Sequence, residues 1–127
     1  MKKILLLSCI LLFPYASMAC EGVNIRGYCI SIQTMNWYSA YSWCKEQGMS
    51  LLNVEDICPS LSKCPELTLS AEEQAQITEK GGTITELWMN TSYTSQKAYS
   101  IMVSSGQPNT NVYNGNGRIA RFNALCK

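Results

Sequence analysis

The spacing of apolar residues changes several times along the chain. Lys2 and Lys3 precede a nearly continuous apolar run, Ile4 to Phe13. Tyr28-Cys29-Ile30-Ser31-Ile32-Gln33 then alternates and carries β-branched residues, which predicts a strand. From Trp37 the period becomes helical, with Trp37, Ala40, Tyr41 and Cys44 at i, i+3, i+4 and i+7, and Trp43 at the margin of that face. Asn36 is placed to cap this helix, which runs to Gln47, and Gly48 to close it. Met49 to Val54 is short and apolar and predicts a buried strand. Ser70-Ala71-Glu72-Glu73 is a capping box that opens a second helix through Lys80, ended by Gly81-Gly82. Only Leu69, Ala71, Ala75 and Ile77 are apolar there, so this helix is expected on the surface. Leu87–Tyr93, Ala98–Val103 and Arg118–Cys126 predict antiparallel strands. Ser104-Ser105-Gly106 and Asn114-Gly115-Asn116-Gly117 supply the turns. The expectation is an α+β domain of two helices packed on antiparallel sheets.

Composition narrows what such a domain does. The chain has 127 residues, enough for one domain. Ten Lys plus Arg stand against nine Asp plus Glu, so it lacks the basic stripe of a nucleic-acid binder. With 46% apolar and 15% charged residues it is not an acidic disordered tail. It contains no histidine, which removes the usual general base, the usual zinc ligand and every Ser-His or Cys-His nucleophile. No catalytic pair emerges elsewhere: Glu72 and Glu73 are explained as first-turn charges of a helix. A binding or structural domain is expected, without enzymatic activity and without a cofactor.

The N-terminal run is too short to span a bilayer and ends in Ser17-Met18-Ala19, small residues at the two positions a signal peptidase reads. Residues 1–19 therefore read as a cleaved signal peptide, and 20–127 as the mature domain. Loss of Lys2 and Lys3 takes the ten basic residues to eight against nine acidic ones. The destination is secretion, the periplasm or the cell surface. Cys20 at the new N-terminus raises lipid anchoring as an alternative, the one route to a membrane, although Ser17 stands where a lipobox has Leu.

Cysteine usage agrees with export. Cys9 leaves with the signal, and Cys20, Cys29, Cys44, Cys58, Cys64 and Cys126 remain, an even set that reads as a disulfide framework. Fifteen pairings exist for six cysteines. Cys58 and Cys64 close a short polar loop, and Cys20 and Cys29 flank Gly22 and Gly27 as a hairpin-like clip. That leaves Cys44 and Cys126, joining the first helix to the last strand. There is no C-x-x-C pair, so these cysteines are not read as a metal site.

The stretch Asn36-Trp37-Tyr38-Ser39-Ala40-Tyr41-Ser42-Trp43-Cys44-Lys45-Glu46-Gln47-Gly48-Met49-Ser50-Leu51 resembles the first helix of C-type lectin-like domains, with an aromatic, Ala and Cys on one face. Asn123-Ala124-Leu125-Cys126-Lys127 resembles that family's last strand, whose cysteine pairs with the helix cysteine. Leu87-Trp88-Met89-Asn90-Thr91-Ser92-Tyr93, followed by Ala98-Tyr99-Ser100-Ile101, is similar to a bacterial branch of the fold. The resemblance spans residues 28–127 and implies a C-type lectin-like domain that recognises a protein or glycan. The other reading is a structural subunit of a cell-surface or envelope assembly. Calcium-dependent members carry Glu-Pro-Asn or Gln-Pro-Asp and then Trp-Asn-Asp. Gln107-Pro108-Asn109 resembles the first motif, but Asn114-Gly115-Asn116-Gly117 lacks the second. Asp56 is the one Asp of the chain, and no carboxylate follows Glu86. Since calcium wants six to eight oxygen ligands, binding without calcium is expected.

The resemblance places the ligand face in the Asn-rich segment before the last strand. Some bacterial relatives diversify that region by adenine-directed mutagenesis, which leaves Asn-rich positions. Asn and Tyr make adaptable contacts at low entropic cost. The candidate ligand residues are Gln107, Asn109, Asn111, Tyr113, Asn114, Asn116 and Arg118, with no metal among their partners. Trp37, Tyr41 and Trp88 are expected in the core, and Tyr93, Tyr99 and Tyr113 partly exposed. Arg118 and Arg121, three apart on a strand, are expected on opposite faces.

Overall fold

The computed structural model describes residues 20–115 and 118–127; the leader (1–19) and the Asn116-Gly117 pair lie outside the described residues. In chain order the elements are β1 (Val23–Ile25), β2 (Tyr28–Ile30), α1 (Trp37–Glu46), α2 (Val54–Ile57), α3 (Ala71–Thr78), β3 (Glu86–Ser92), β4 (Lys97–Met102), β5 (Pro108–Val112) and β6 (Asn123–Cys126). Single 3₁₀ turns occupy Pro59–Leu61 and Pro65–Leu67.

Among the described residues the strands form one six-stranded sheet in the order β1-β2-β6-β3-β4-β5. Period-2 alternation along β6 divides its neighbours between two faces. Ala124 and Cys126 pack with Cys44, Ala40 and Trp88 beneath α1. Leu125 packs on the other side with Ile30, Leu87 and Ile101, under the loops and α3. The fold is α+β, stapled by Cys20–Cys29, Cys44–Cys126 and Cys58–Cys64. These are the three pairs the sequence predicts. No described helix is long and apolar enough to cross a membrane.

Both main helices start where their caps stand. The Asn36 Oδ1 accepts from the Ser39 N–H at 2.8 Å. The Ser70 Oγ accepts from the Glu73 N–H at 3.1 Å, while the Glu73 carboxylate accepts from the Ser70 N–H at 2.9 Å. α3 is largely exposed as expected, but Ile77 anchors it completely in the core.

Four expectations need correction. The sheet is mixed: β6 is antiparallel to β2 but parallel to β3, with Leu87 opposite Asn123 and Trp88 opposite Ala124. Hairpin signals inform only on consecutive strands, and β6 has two non-consecutive neighbours. Met49–Val54 is not a strand. Leu51 makes one isolated bridge with Cys126, and Val54 already opens α2, favoured by Glu55 and Asp56 in the first turn. Of Tyr28–Gln33 only the first three residues pair, and all three are buried rather than alternating. Of Arg118–Cys126 only the last four described strand residues pair in the sheet, so Arg118 and Arg121 belong to the approach to β6 and both are exposed.

The β1–β2 hairpin, foreseen only as a clip, turns at Arg26-Gly27 with φ of 52° and 90°. Positive φ at both central residues is the type I′ geometry that matches strand twist. The Arg26 side chain ties this turn to the far side of the domain. Its Nε lies 2.8 Å from the Glu73 carboxylate, and its NH1 and NH2 donate to the Glu66 and Thr68 carbonyls at 2.8 and 3.3 Å. The Ser70 N–H, then the Arg26 guanidinium, hold the Glu73 carboxyl below its usual range. A carboxyl lowered in the folded state stabilises the fold above its unfolded value, and that stability is lost as the pH falls through the folded one. Arg26 is 43% exposed, so solvent screens the pair. Arg26→Ala should cost about 1 kcal/mol near neutrality. Thermal melts of the wild type and variant should then converge as Glu73 is protonated below about pH 4. An undiminished gap in acid would assign the effect to the two carbonyl contacts instead.

Candidate functional site

The Asn-rich segment is split by the fold. Gln107 and Asn114 are exposed and Arg118 likewise, whereas Asn109 is half-buried on β5, and Asn116 lies outside the described residues. β5 runs antiparallel to β4, with Asn109 opposite Ser100 and Asn111 opposite Ala98. It is an edge strand opened by Pro108, a position where a missing N–H is tolerated. Gln107-Pro108-Asn109 thus leads into a strand and is not a free turn. The Asn111 amide donates to the Ser100 Oγ at 2.7 Å and to the Glu86 carboxylate at 3.3 Å. The Ser100 hydroxyl donates to that same carboxylate at 2.5 Å. Asn111 therefore satisfies a half-buried network across three strands.

Tyr113 is the clearest correction. It is 8% exposed, not partly open. Its ring lies 4.9 Å from that of Trp37 and 5.5 Å from that of Tyr38, with Trp37 stacked 5.7 Å from Tyr41. Trp37 is itself fixed, its indole N–H donating to the Met89 carbonyl at 2.9 Å. Tyr113 braces a row of aromatics from beneath, so Tyr113 and Asn111 are framework. Tyr113→Ala should lower stability by about 2 kcal/mol, short of the ~3–5 of a fully enclosed aromatic. Asn114→Ala and Arg118→Ala should leave the melting temperature unchanged. A Tyr113 variant melting with the wild type would show that the ring bears no packing load.

The exposed end of this row is what sequence reasoning missed. Tyr38 is 50% and Tyr41 38% exposed, and Lys45 sits 5.3 Å above the Tyr41 ring. Tyr41 was expected in the core with Trp37 and Trp88; of these only Trp88 is fully buried. The signal was present in the helix itself. At 100° per residue, Trp37, Tyr38, Tyr41 and Trp43 spread too widely for one buried face. Ser39, Ser42 and Glu46 fall between Tyr38 and Trp43 on the outer side. They line an open groove of about 430 Å³ together with Tyr38, Trp43 and Met35. Met35 and Trp43 also border a second groove of about 250 Å³, which reaches Gln33, Glu21 and Lys80. Aromatic faces beside hydroxyls, amides and single charges suit an amphipathic ligand such as a sugar ring or a peptide side chain.

Tyr93, 58% exposed, meets the half-buried Tyr99 edge-on at 5.8 Å on the β3–β4 hairpin, away from this row. Among the described residues no group of three or more His, Cys, Asp or Glu side chains could hold a metal ion. Comparison of the chain with family models, with curated proteins and with solved structures finds no match.

Proposed function

We propose that the chain is an exported recognition module of C-type lectin-like architecture that binds a protein or glycan without calcium or catalysis. The observation that carries this reading is the aromatic row on α1, exposed at Tyr38 and Tyr41 and braced by the buried Tyr113 of the Asn-rich segment. Rigid aromatics beside adaptable Asn, Gln and Arg side chains are the usual composition of a binding surface. Asn114 and Arg118 follow Tyr113 directly, so the segment chosen from sequence and the row on the helix adjoin. The helix-to-strand bridge Cys44–Cys126 supports the architecture. Three disulfides support an oxidising destination. The Cys20 sulfur is taken by Cys29, which favours a soluble mature protein over one lipidated at that residue.

The test is binding of the folded protein to an array of immobilised glycans and to intact cells. Tyr38→Ala with Tyr41→Ala should abolish binding while the melting temperature holds, because both rings are already open to solvent. Added chelator should change nothing. Full binding by that double variant would place the contact surface elsewhere.

A further inference from the structure

Five of the six half-cystines are completely buried; Cys20 alone is half-exposed. Its partner, Cys29, stands directly opposite Cys126 in the β2–β6 ladder. Facing residues of antiparallel strands project to the same side, with Cα atoms roughly 4.5–5.5 Å apart. That spacing falls within the ~4.4–6.8 Å that a disulfide spans. Cys29 and Cys126 thus face each other as a third geometrically allowed pair, each already bonded to a different partner. The two bridges Cys20–Cys29 and Cys44–Cys126 share one side of the sheet, in the cluster beneath α1.

We propose that Cys20 is the point of attack for a thiol–disulfide exchange that passes through Cys29 and ends by releasing α1 from the sheet. A small dithiol supplies the first thiolate. It attacks the Cys20 Sγ, forming a mixed disulfide, and the Cys20–Cys29 bond breaks with its electron pair left on the Cys29 Sγ. The Cys29 thiolate then attacks the Cys126 Sγ. The Cys29–Cys126 bond forms, the Cys44–Cys126 bond breaks, and the Cys44 thiolate takes a proton from solvent. The second thiol of the reagent closes on the first, leaving the oxidised cyclic dithiol and a Cys20 thiol. One bridge is reduced overall, at the expense of the reagent, and the internal step is redox-neutral. In the product, β2 remains stapled to β6 while α1 has lost its covalent tie. Cys58–Cys64 lies in the other core cluster and takes no part.

The segment around Cys20 is held in place for the first step. The Glu21 N–H donates to the Gln47 side chain at 3.0 Å. A Cβ on Gly22 would meet the Ile30 carbonyl oxygen at 2.0 Å, so the chain passes there only as glycine. Opening the bridge therefore leaves Cys20 at the surface and Cys29 beside Cys126.

The experiment treats the folded, oxidised protein with an equimolar small dithiol, quenches it with an alkylating reagent and maps the linked and labelled peptides. The expected result is loss of the Cys44–Cys126 peptide, gain of a Cys29–Cys126 peptide, and label on Cys20 and Cys44, with Cys58–Cys64 intact. A second arm uses Cys20→Ser with no reductant, where the unpaired Cys29 should generate the same Cys29–Cys126 link and a labelled Cys44. Two results overturn the proposal: Cys58 and Cys64 labelled before Cys20, or Cys44–Cys126 persisting while Cys29 takes the label. Mapping of the wild type decides the matter alone if Cys20→Ser does not fold.

Discussion

Replacing Cys44 and Cys126 together by alanine should leave a chain that no longer holds its fold at about 37 °C. The bridge closes 82 residues, from the middle of α1 to β6. In the chain-entropy description a loop of that length contributes roughly 4–5 kcal/mol, much of the ~5–15 that a domain possesses. Both cysteines are completely buried, so the alanines also leave a small cavity beside Trp88 and Ala40. Cys58→Ala with Cys64→Ala is the natural comparison. That bridge closes six residues and should contribute about 2 kcal/mol. Chemical denaturation of the two double variants against the wild type measures the difference. Equal losses would show that loop length does not govern the ranking.

Trp88→Ala should be the most damaging single side-chain truncation outside the bridges, at about 3–5 kcal/mol. Trp88 is fully enclosed, the largest such side chain described, and its ring meets that of Phe122 edge-on at 5.0 Å. Its indole N–H donates to the Met35 carbonyl at 2.8 Å, which ties β3 to the approach to α1. That carbonyl also accepts from the Phe122 N–H at 3.0 Å. Trp88→Phe therefore leaves no buried acceptor unpaired and should cost only about 1–2 kcal/mol. Urea denaturation should rank wild type, Phe and Ala in that order, at a constant dependence on denaturant. A Phe variant as unstable as Ala would show that the N–H contact, not ring volume, sets the loss.

Local signals in the sequence translated well into local structure. Asn36, Gly48 and the Ser70–Glu73 box lie where their helices begin and end, because caps act over three or four residues. The cysteine pairs were legible because two of them close short segments. What the sequence concealed was non-local. β5 is polar and begins with proline, so alternation says nothing about it, and only its pairing with β4 makes it a strand. The direction of β6 relative to β3 depends on partners separated by more than thirty residues of intervening chain, about which hairpin chemistry is silent. The candidate site was half legible for the same reason. Asn114 and Arg118 stand exposed where a polar segment suggests. Tyr113 looked exposed because its neighbours are polar, yet its burial is decided by Trp37 and Tyr38 on a distant helix. Asn111 likewise belongs to Glu86 and Ser100. Tyr38 was left unassigned because the helical period was used to find the buried face and not to ask what remained outside it.

The place of β6 in the sheet bears on how the molecule comes into being. Biosynthesis is vectorial, and β6 is made after every strand it pairs with, yet it fills the slot between β2 and β3. Until it emerges, the β1–β2 hairpin and the β3–β4–β5 meander are separate pieces, each exposing an unpaired edge where β6 will dock. Cys44 is without its sulfur partner for the same interval. Pairings so distant in sequence close slowly, and open edges meanwhile invite contact with other chains. Nascent copies of this protein thus pass through a window in which a chaperone that shields strand edges would raise the yield of native fold without altering the stability of the finished domain.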